Sequence, residues 1–108
     1  IMAVQIFGRG KCFDTKKAER FFKERRIGYQ YVDLDKYGIS KGELTSVIRA
    51  VGGWEKVVKD SSELRYFSPE AIVTELLDDP RKIKTPIVRN GKKATVGFDE
   101  NGWKELAL

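Results

Sequence analysis

The chain has 108 residues, 41% of them hydrophobic and 34% charged, with a net charge of +5. That length and mixture suit one globular domain with one core and exclude a disordered chain. It holds no histidine and a single cysteine, Cys12, which excludes within this chain a Ser-His-Asp triad, a histidine-bound metal, an internal disulfide, a CxxC redox pair and a multi-cysteine zinc or iron–sulfur centre.

In chain order, residues 3–7 (AVQIF) are short, apolar and partly β-branched, which predicts a buried strand. A loop, Gly8-Arg9-Gly10-Lys11, leads to Cys12. A helix is expected from Asp14 or Thr15 to about Arg26, with Ala18, Phe21 and Phe22 on its apolar face and Gly28 at the left-handed cap position. Residues 29–34 (YQYVDL) read as a second strand. Strand, helix, strand within about thirty residues implies a βαβ unit with parallel strands and a right-handed crossover.

The middle is helical. Ser40-Lys41-Gly42-Glu43 fits a capping box, and Leu44, Val47, Ile48 and Val51 follow on one helix face. Gly52-Gly53 stops that helix, and residues 54–59 suggest a short helical turn. Ser68-Pro69 pairs an N-cap with a first-turn proline. The helix it opens carries Ile72, Val73, Leu76 and Leu77 and ends near Asp79-Pro80. Residues 87–89 and 93–96 flank Asn90-Gly91, a hairpin signal suited to a type I′ turn. Asp99 is placed to cap a last helix, with Phe98 and Trp103 as its hydrophobic staple. The fold class expected is α/β, as β-α-β, then a helical segment of about residues 38–82, then β-β-α. The whole of residues 1–108 reads as one domain, with 38–82 inserted between its halves.

No apolar run approaches the roughly 20 residues of a membrane span. IMAVQIFG lacks the basic-then-apolar form of a signal peptide. Met2 reads as the natural start, with Ile1 as a remnant, so the chain is expected to be soluble and cytoplasmic. The basic residues are interleaved with acids rather than gathered in a stripe, which favours a solvated surface over nucleic-acid binding.

Cys12 stands where a strand and a glycine-bearing loop open into a helix. Free backbone N–H groups and the positive end of the helix dipole favour an anion there, and Arg9, Lys11 and Lys16 add positive charge close by in sequence. These features predict a thiol of lowered pKa. The alternative is an inert cysteine filling space as a small hydrophobe. Any redox chemistry must take its second thiol from another molecule. Pro86, in Thr85-Pro86-Ile87, either starts an edge strand or is a cis-proline facing the cysteine-bearing helix end, leaving the Thr85 backbone open to a thiol peptide. The C-x5-R signature of phosphatase-like chemistry is absent, since Ala18 stands six residues after Cys12. Gly10-Lys11-Cys12 is no Walker A motif. Asp78-Asp79 reads as a solvated helix end.

The stretches IFGRGKCFDTKKAERFFKERRIGYQYVDL, AVGGWEKVV and LLDDPRKIKTPIVRNGKKATVGFDENGWKEL cover nearly the whole chain in one order. In them the chain resembles the arsenate reductase (ArsC)/Spx-like family of the thioredoxin superfamily. The resemblance implies a thioredoxin-like fold with an α-helical insertion, Cys12 as the catalytic thiol at the start of the first helix, and Pro86 as the cis-proline. It implies no bound cofactor, with glutathione as co-substrate and glutathione, glutaredoxin or thioredoxin as partners. It also offers three activities: a glutathione-linked thiol oxidoreductase, a non-catalytic Spx-like regulator that binds RNA polymerase, and an arsenate reductase. The family's arsenate reductases hold their oxyanion with arginines, one of them directly before the cis-proline, where this chain has Thr85. Lys59 but no aligned arginine occupies the insertion stretch, and Val96-Gly97 takes the third place. The Spx CxxC switch is replaced by Cys12-Phe13-Asp14-Thr15. The residues assigned to the site are therefore Cys12 as catalytic thiol, Arg9, Lys11, Thr85 and Pro86 as substrate- or thiol-binding groups, and no metal ligand.

Overall fold

In Val4-Gln5-Ile6-Phe7-Gly8 neighbouring side chains point to opposite faces of a strand, and all but Gln5 are buried. A strand buried on both faces belongs inside a sheet. The computed structural model, which describes residues 4–107, puts β1 (Val4–Gly8) at an interior position. Ala3, expected in this strand, lies outside the described residues. The other strands are β2 (Tyr29–Asp33), β3 (Ile87–Asn90) and β4 (Lys93–Val96), in the sheet order β2-β1-β3-β4. β1 runs parallel to β2 and antiparallel to β3, and β3 runs antiparallel to β4. This is the βαβ–ββα order that the sequence predicts.

Helices cover both faces. α1 (Phe13–Glu24) and α5 (Glu100–Leu106) place Ala18, Phe21, Phe22, Trp103 and Leu106 against Val4, Ile6 and Val88. On the opposite face, α2 (Leu34–Tyr37), α3 (Lys41–Val51) and α4 (Pro69–Asp78) bury Leu34, Leu44, Val47, Ile72 and Leu76 against Phe7 and Ile87. Short 3-10 turns at Trp54–Lys56, Ser61–Glu63 and Pro80–Lys82 join these helices to one another and to the hairpin. The 38–82 segment thus shares the sheet's own core. A bridge between Val58 and Ile83 ties its middle to its exit.

The predicted caps are largely present. The Ser40–Glu43 capping box forms in both directions, and Ser68 caps α4 ahead of Pro69. Asp99 caps α5, and the Phe98 and Trp103 rings meet edge to face at 5.1 Å. Each such cap contributes about 1 kcal/mol.

Three local expectations are corrected. Leu34 leaves the second strand and starts α2, because the Asp33 side chain accepts from the Asp35 and Lys36 amides and turns the chain into a helix. Gly28 does not cap α1. Arg26 takes the left-handed position, with φ +57°, while the Arg26 and Ile27 amides donate to the Lys23 and Phe22 carbonyls. That is a Schellman ending, fixed by Ile27, which packs back on the cluster holding Phe22. The apolar anchor set the register, so a non-glycine residue bears the unfavourable φ. Arg26→Gly is expected to raise stability by about 0.5–1 kcal/mol in urea unfolding; an unchanged or lower midpoint would show that this turn is not strained. Third, the hairpin loop is Gly91-Lys92 rather than Asn90-Gly91, because Asn90 pairs with Lys93 inside the ladder. Asn90 is held there by its Nδ2, which donates 2.7 Å to the Leu106 carbonyl of α5. Gly91, at φ +63°, is then the first central residue, the glycine place of a type II′ turn.

Candidate thiol site

The site forms where β1 ends. Gly8 is buried, and a Cβ there would overlap Thr15 Cγ2 and lie 2.8 Å from Thr15 Oγ1. The missing side chain lets the first turn of α1 pack on the strand end, with Thr15 only 1% exposed. A tight turn follows, in which the Cys12 amide donates to the Arg9 carbonyl at 3.1 Å. The Cys12 carbonyl accepts from the Lys16 amide, so Cys12 is the N-cap of α1.

The thiol is half-buried. Its Sγ lies 3.7 Å from the Thr85 carbonyl, in reach to donate its proton. The Thr85-Pro86 bond is cis, and both residues are buried. Among the described residues the Thr85 amide has no backbone partner, whereas the Pro86 carbonyl accepts from the Gly97 amide. Two opposing influences set the sulfur's acidity. Burial pushes the pKa up and is the largest single influence. The Thr15 and Thr85 hydroxyls and the Thr15 and Asp14 amides, able to donate to an ionised sulfur, together outweigh it, leaving the thiol below its ordinary value. Neutral donors therefore lead in lowering it, where the sequence pointed to nearby cations.

The predicted site residues are treated differently by the fold. Cys12, Thr85 and Pro86 come together. Arg9 reaches the same place, but the protein itself occupies its guanidinium. Nε donates to both Asp35 carboxylate oxygens at 3.0 and 2.9 Å, Nη1 to the Ile83 carbonyl at 2.7 Å and the Thr85 hydroxyl at 3.3 Å, and Nη2 to the Pro80 carbonyl. Lys11 is exposed on the turn and has no hydrogen bond or ion pair among the described residues. Lys16 lies over the exposed Phe13 ring, 5.9 Å from its centre.

Sequence reasoning missed Thr15 and Asp35. For Thr15 a signal was available: three residues after an N-cap a side chain reaches back toward the cap, so Cys-x-x-Thr brings a hydroxyl near the cysteine. Asp35 had no such signal, because its pairing with Arg9 spans 26 positions.

Arg89 and Arg65 are engaged elsewhere. Arg89 donates to Gln5 Oε1 at 2.7 Å and lies 3.9 Å from Glu43, at the end of β3 away from Thr85. Arg65 is exposed, with its guanidinium over the Tyr66 ring. Among the described residues no three His, Cys, Asp or Glu side chains gather to hold a metal, and no helix is long and apolar enough to cross a membrane.

No family model matches the chain. It is 29% identical over 114 residues to a protein of Oceanobacillus iheyensis named global transcriptional regulator Spx 2, covering 97% of this chain and 84% of that one. Among solved structures it is similar to an ArsC family related protein of Bacteroides fragilis, with TM-score 0.87, 21% identity and coverage of 95% and 96%. It is likewise similar to an arsenate reductase of Vibrio cholerae, with TM-score 0.84, 21% identity and coverage of 97% and 98%. The fold is the thioredoxin-like one of these ArsC structures.

Proposed function

For a chain similar to ArsC- and Spx-named proteins and sharing their thioredoxin-like fold, we propose a monothiol oxidoreductase that works through Cys12 with glutathione as co-substrate. The observation that carries this is the place of the sulfur: a half-buried thiol at the N-cap of α1, 3.7 Å from the Thr85 carbonyl that precedes the cis-proline, and the lowering of its pKa agrees with that setting. The Cys12 thiolate attacks one sulfur of a mixed disulfide R–S–S–G. A Cys12–S–S–G bond forms, the old disulfide breaks, and R–S⁻ leaves and takes a proton from water. A second glutathione thiolate then attacks the glutathione sulfur, which releases oxidised glutathione and restores the Cys12 thiolate. Glutaredoxin or thioredoxin thiols fit the same second step. Thr85, with its open amide beside Pro86, holds the glutathione or peptide backbone, and Lys11 meets its carboxylates. No bound cofactor is needed. The chain acts as one cytoplasmic domain, with residues 38–82 as its helical insertion.

The test is mass spectrometry after exposure to oxidised glutathione, with alkylation rates measured across pH. One glutathione on Cys12, and an alkylation midpoint below the ordinary thiol value of about 8.5, are expected. No adduct and an ordinary midpoint would overturn the reading.

The Oceanobacillus relative, named a transcriptional regulator, favours a second reading: a non-catalytic module that binds RNA polymerase through its helical insertion. Recovery of polymerase subunits in a pull-down, together with an inert thiol, would support it. Arsenate reduction is favoured less, since Thr85 stands before the cis-proline and Arg65 and Arg89 are turned to other partners.

A further inference from the structure

Arg9 is the most heavily bonded side chain at the site. Arg9 joins three pieces of chain: its own turn, Asp35 at the start of α2, and residues 80–85, where its guanidinium meets the Pro80 and Ile83 carbonyls and the Thr85 hydroxyl. Its own carbonyl closes the turn by accepting from the Cys12 amide, and its amide donates to the Thr15 hydroxyl at 3.4 Å. One residue thus touches the Thr15 and Thr85 hydroxyls and the turn that carries the thiol.

The direction of the Thr85 contact has a chemical consequence. A guanidinium can only donate, so the Thr85 oxygen accepts from Arg9. The Thr85 proton must then point elsewhere, and the Cys12 sulfur, 3.7 Å from the carbonyl of the same residue, is a neighbouring acceptor for it when ionised. A hydroxyl that accepts from a cation also donates more strongly. We infer that Arg9 is a positioning residue: it ties the segment carrying Thr85 to the Cys12 turn and aims the Thr85 hydroxyl at the sulfur. This rests on Cys12 being the reactive thiol. It gives Arg9 an indirect part, through Thr85, with its guanidinium bonded mainly to the protein itself.

Other titratable groups surround the thiol. Lys11, Asp14 and Lys16 neighbour it in sequence, Tyr31 and Asp33 pair with β1 from β2, Asp35 binds Arg9, and Lys84 precedes Thr85. The Tyr31 phenol is pushed up, chiefly by burial and then by Asp33, Glu19, the Cys12 charge and Asp35. A change at Arg9 must therefore be separated from a general change of field, and a double-mutant cycle does so.

Iodoacetamide alkylation of Cys12 is followed from pH 5 to 10 in the wild type, Arg9→Met, Thr85→Val and the double variant, with urea unfolding of each. Arg9→Met and Thr85→Val are each expected to slow alkylation near neutral pH by roughly three- to tenfold and to move the midpoint up. The double variant should be no slower than Thr85→Val alone. Arg9→Lys keeps the charge but cannot span the three segments. It should fall between Arg9→Met and the wild type, and it replaces Arg9→Met if that variant does not fold. A lowered unfolding midpoint with the wild-type pH profile, in Arg9→Met or Arg9→Lys, would overturn the inference by leaving Arg9 a structural strut only. So would additive effects of Arg9→Met and Thr85→Val. A wild-type profile already at the ordinary thiol value would instead overturn the reactive-thiol reading beneath it.

Discussion

Cys12→Ser is expected to abolish glutathione adduct formation and thiol transfer completely while leaving the fold intact. Loss is total because the chain has no second cysteine to substitute. The fold survives because oxygen replaces sulfur at a half-buried position with little change of shape. Stability near neutral pH should rise by up to about 1 kcal/mol, since serine is a good N-cap and the Cys12 side chain makes no capping bond. The difference has a pH dependence of known sign. A thiol lowered in the folded state stabilises that state fully above the unfolded thiol value, about 8.5, and loses the contribution as pH falls through the folded value. The wild type should therefore gain on the serine variant from neutral to alkaline pH. Urea unfolding of both proteins at pH 6 and 9.5, with mass spectrometry of the adducts, checks each part. A serine variant that still transfers thiols would end the proposal. A gap in stability that does not close toward high pH would mean that the thiol is not lowered.

What could be read in advance follows the range of the interactions. The element order, the Ser40 and Ser68 caps and the Phe98–Trp103 staple depend on residues three to five apart, and all were legible. Cys12 stood out by elimination, and its place at a helix start came from the strand–loop–helix pattern. The errors arose where a distant contact overrode a local preference. Gly28 looked like the cap of α1, but packing of Ile27 on the α1 side of the sheet shifted the left-handed residue to Arg26. Asn90-Gly91 looked like the turn, but a bond to the Leu106 carbonyl, 16 positions away, held Asn90 in the strand. Arg9 is the instructive case. Its position beside Cys12 suggested a cation for the thiolate or a substrate, whereas partners at Asp35, Pro80, Ile83 and Thr85 make it a fastening between segments. Nothing within ten residues of Arg9 reveals those partners.

Gly8→Ala is expected to damage both the fold and the thiol, and the two effects can be separated. Gly8 does not have a positive φ, so backbone conformation does not require glycine there; the requirement is steric. An added Cβ meets both Thr15 Cγ2 and Oγ1, and these atoms belong to a buried side chain in the first turn of a helix, which cannot swing away into solvent. Overpacking of this kind costs about 1–3 kcal/mol. Relief requires Thr15 to shift, and the Thr15 hydroxyl and amide are among the groups that lower the Cys12 thiol. Without them the penalty of burial prevails and the thiol pKa rises, so alkylation near neutral pH slows even in molecules that stay folded. Adding Thr15→Ala in the Gly8→Ala background removes the overlap and should recover part of the lost stability, yet it also removes the donor, so the thiol stays weakly acidic. Unfolding midpoints and alkylation profiles of the single and double variants decide the matter. Recovery of both properties together would place the origin of the thiol's acidity outside Thr15, and would leave the amides at the helix start and the Thr85 hydroxyl as its source.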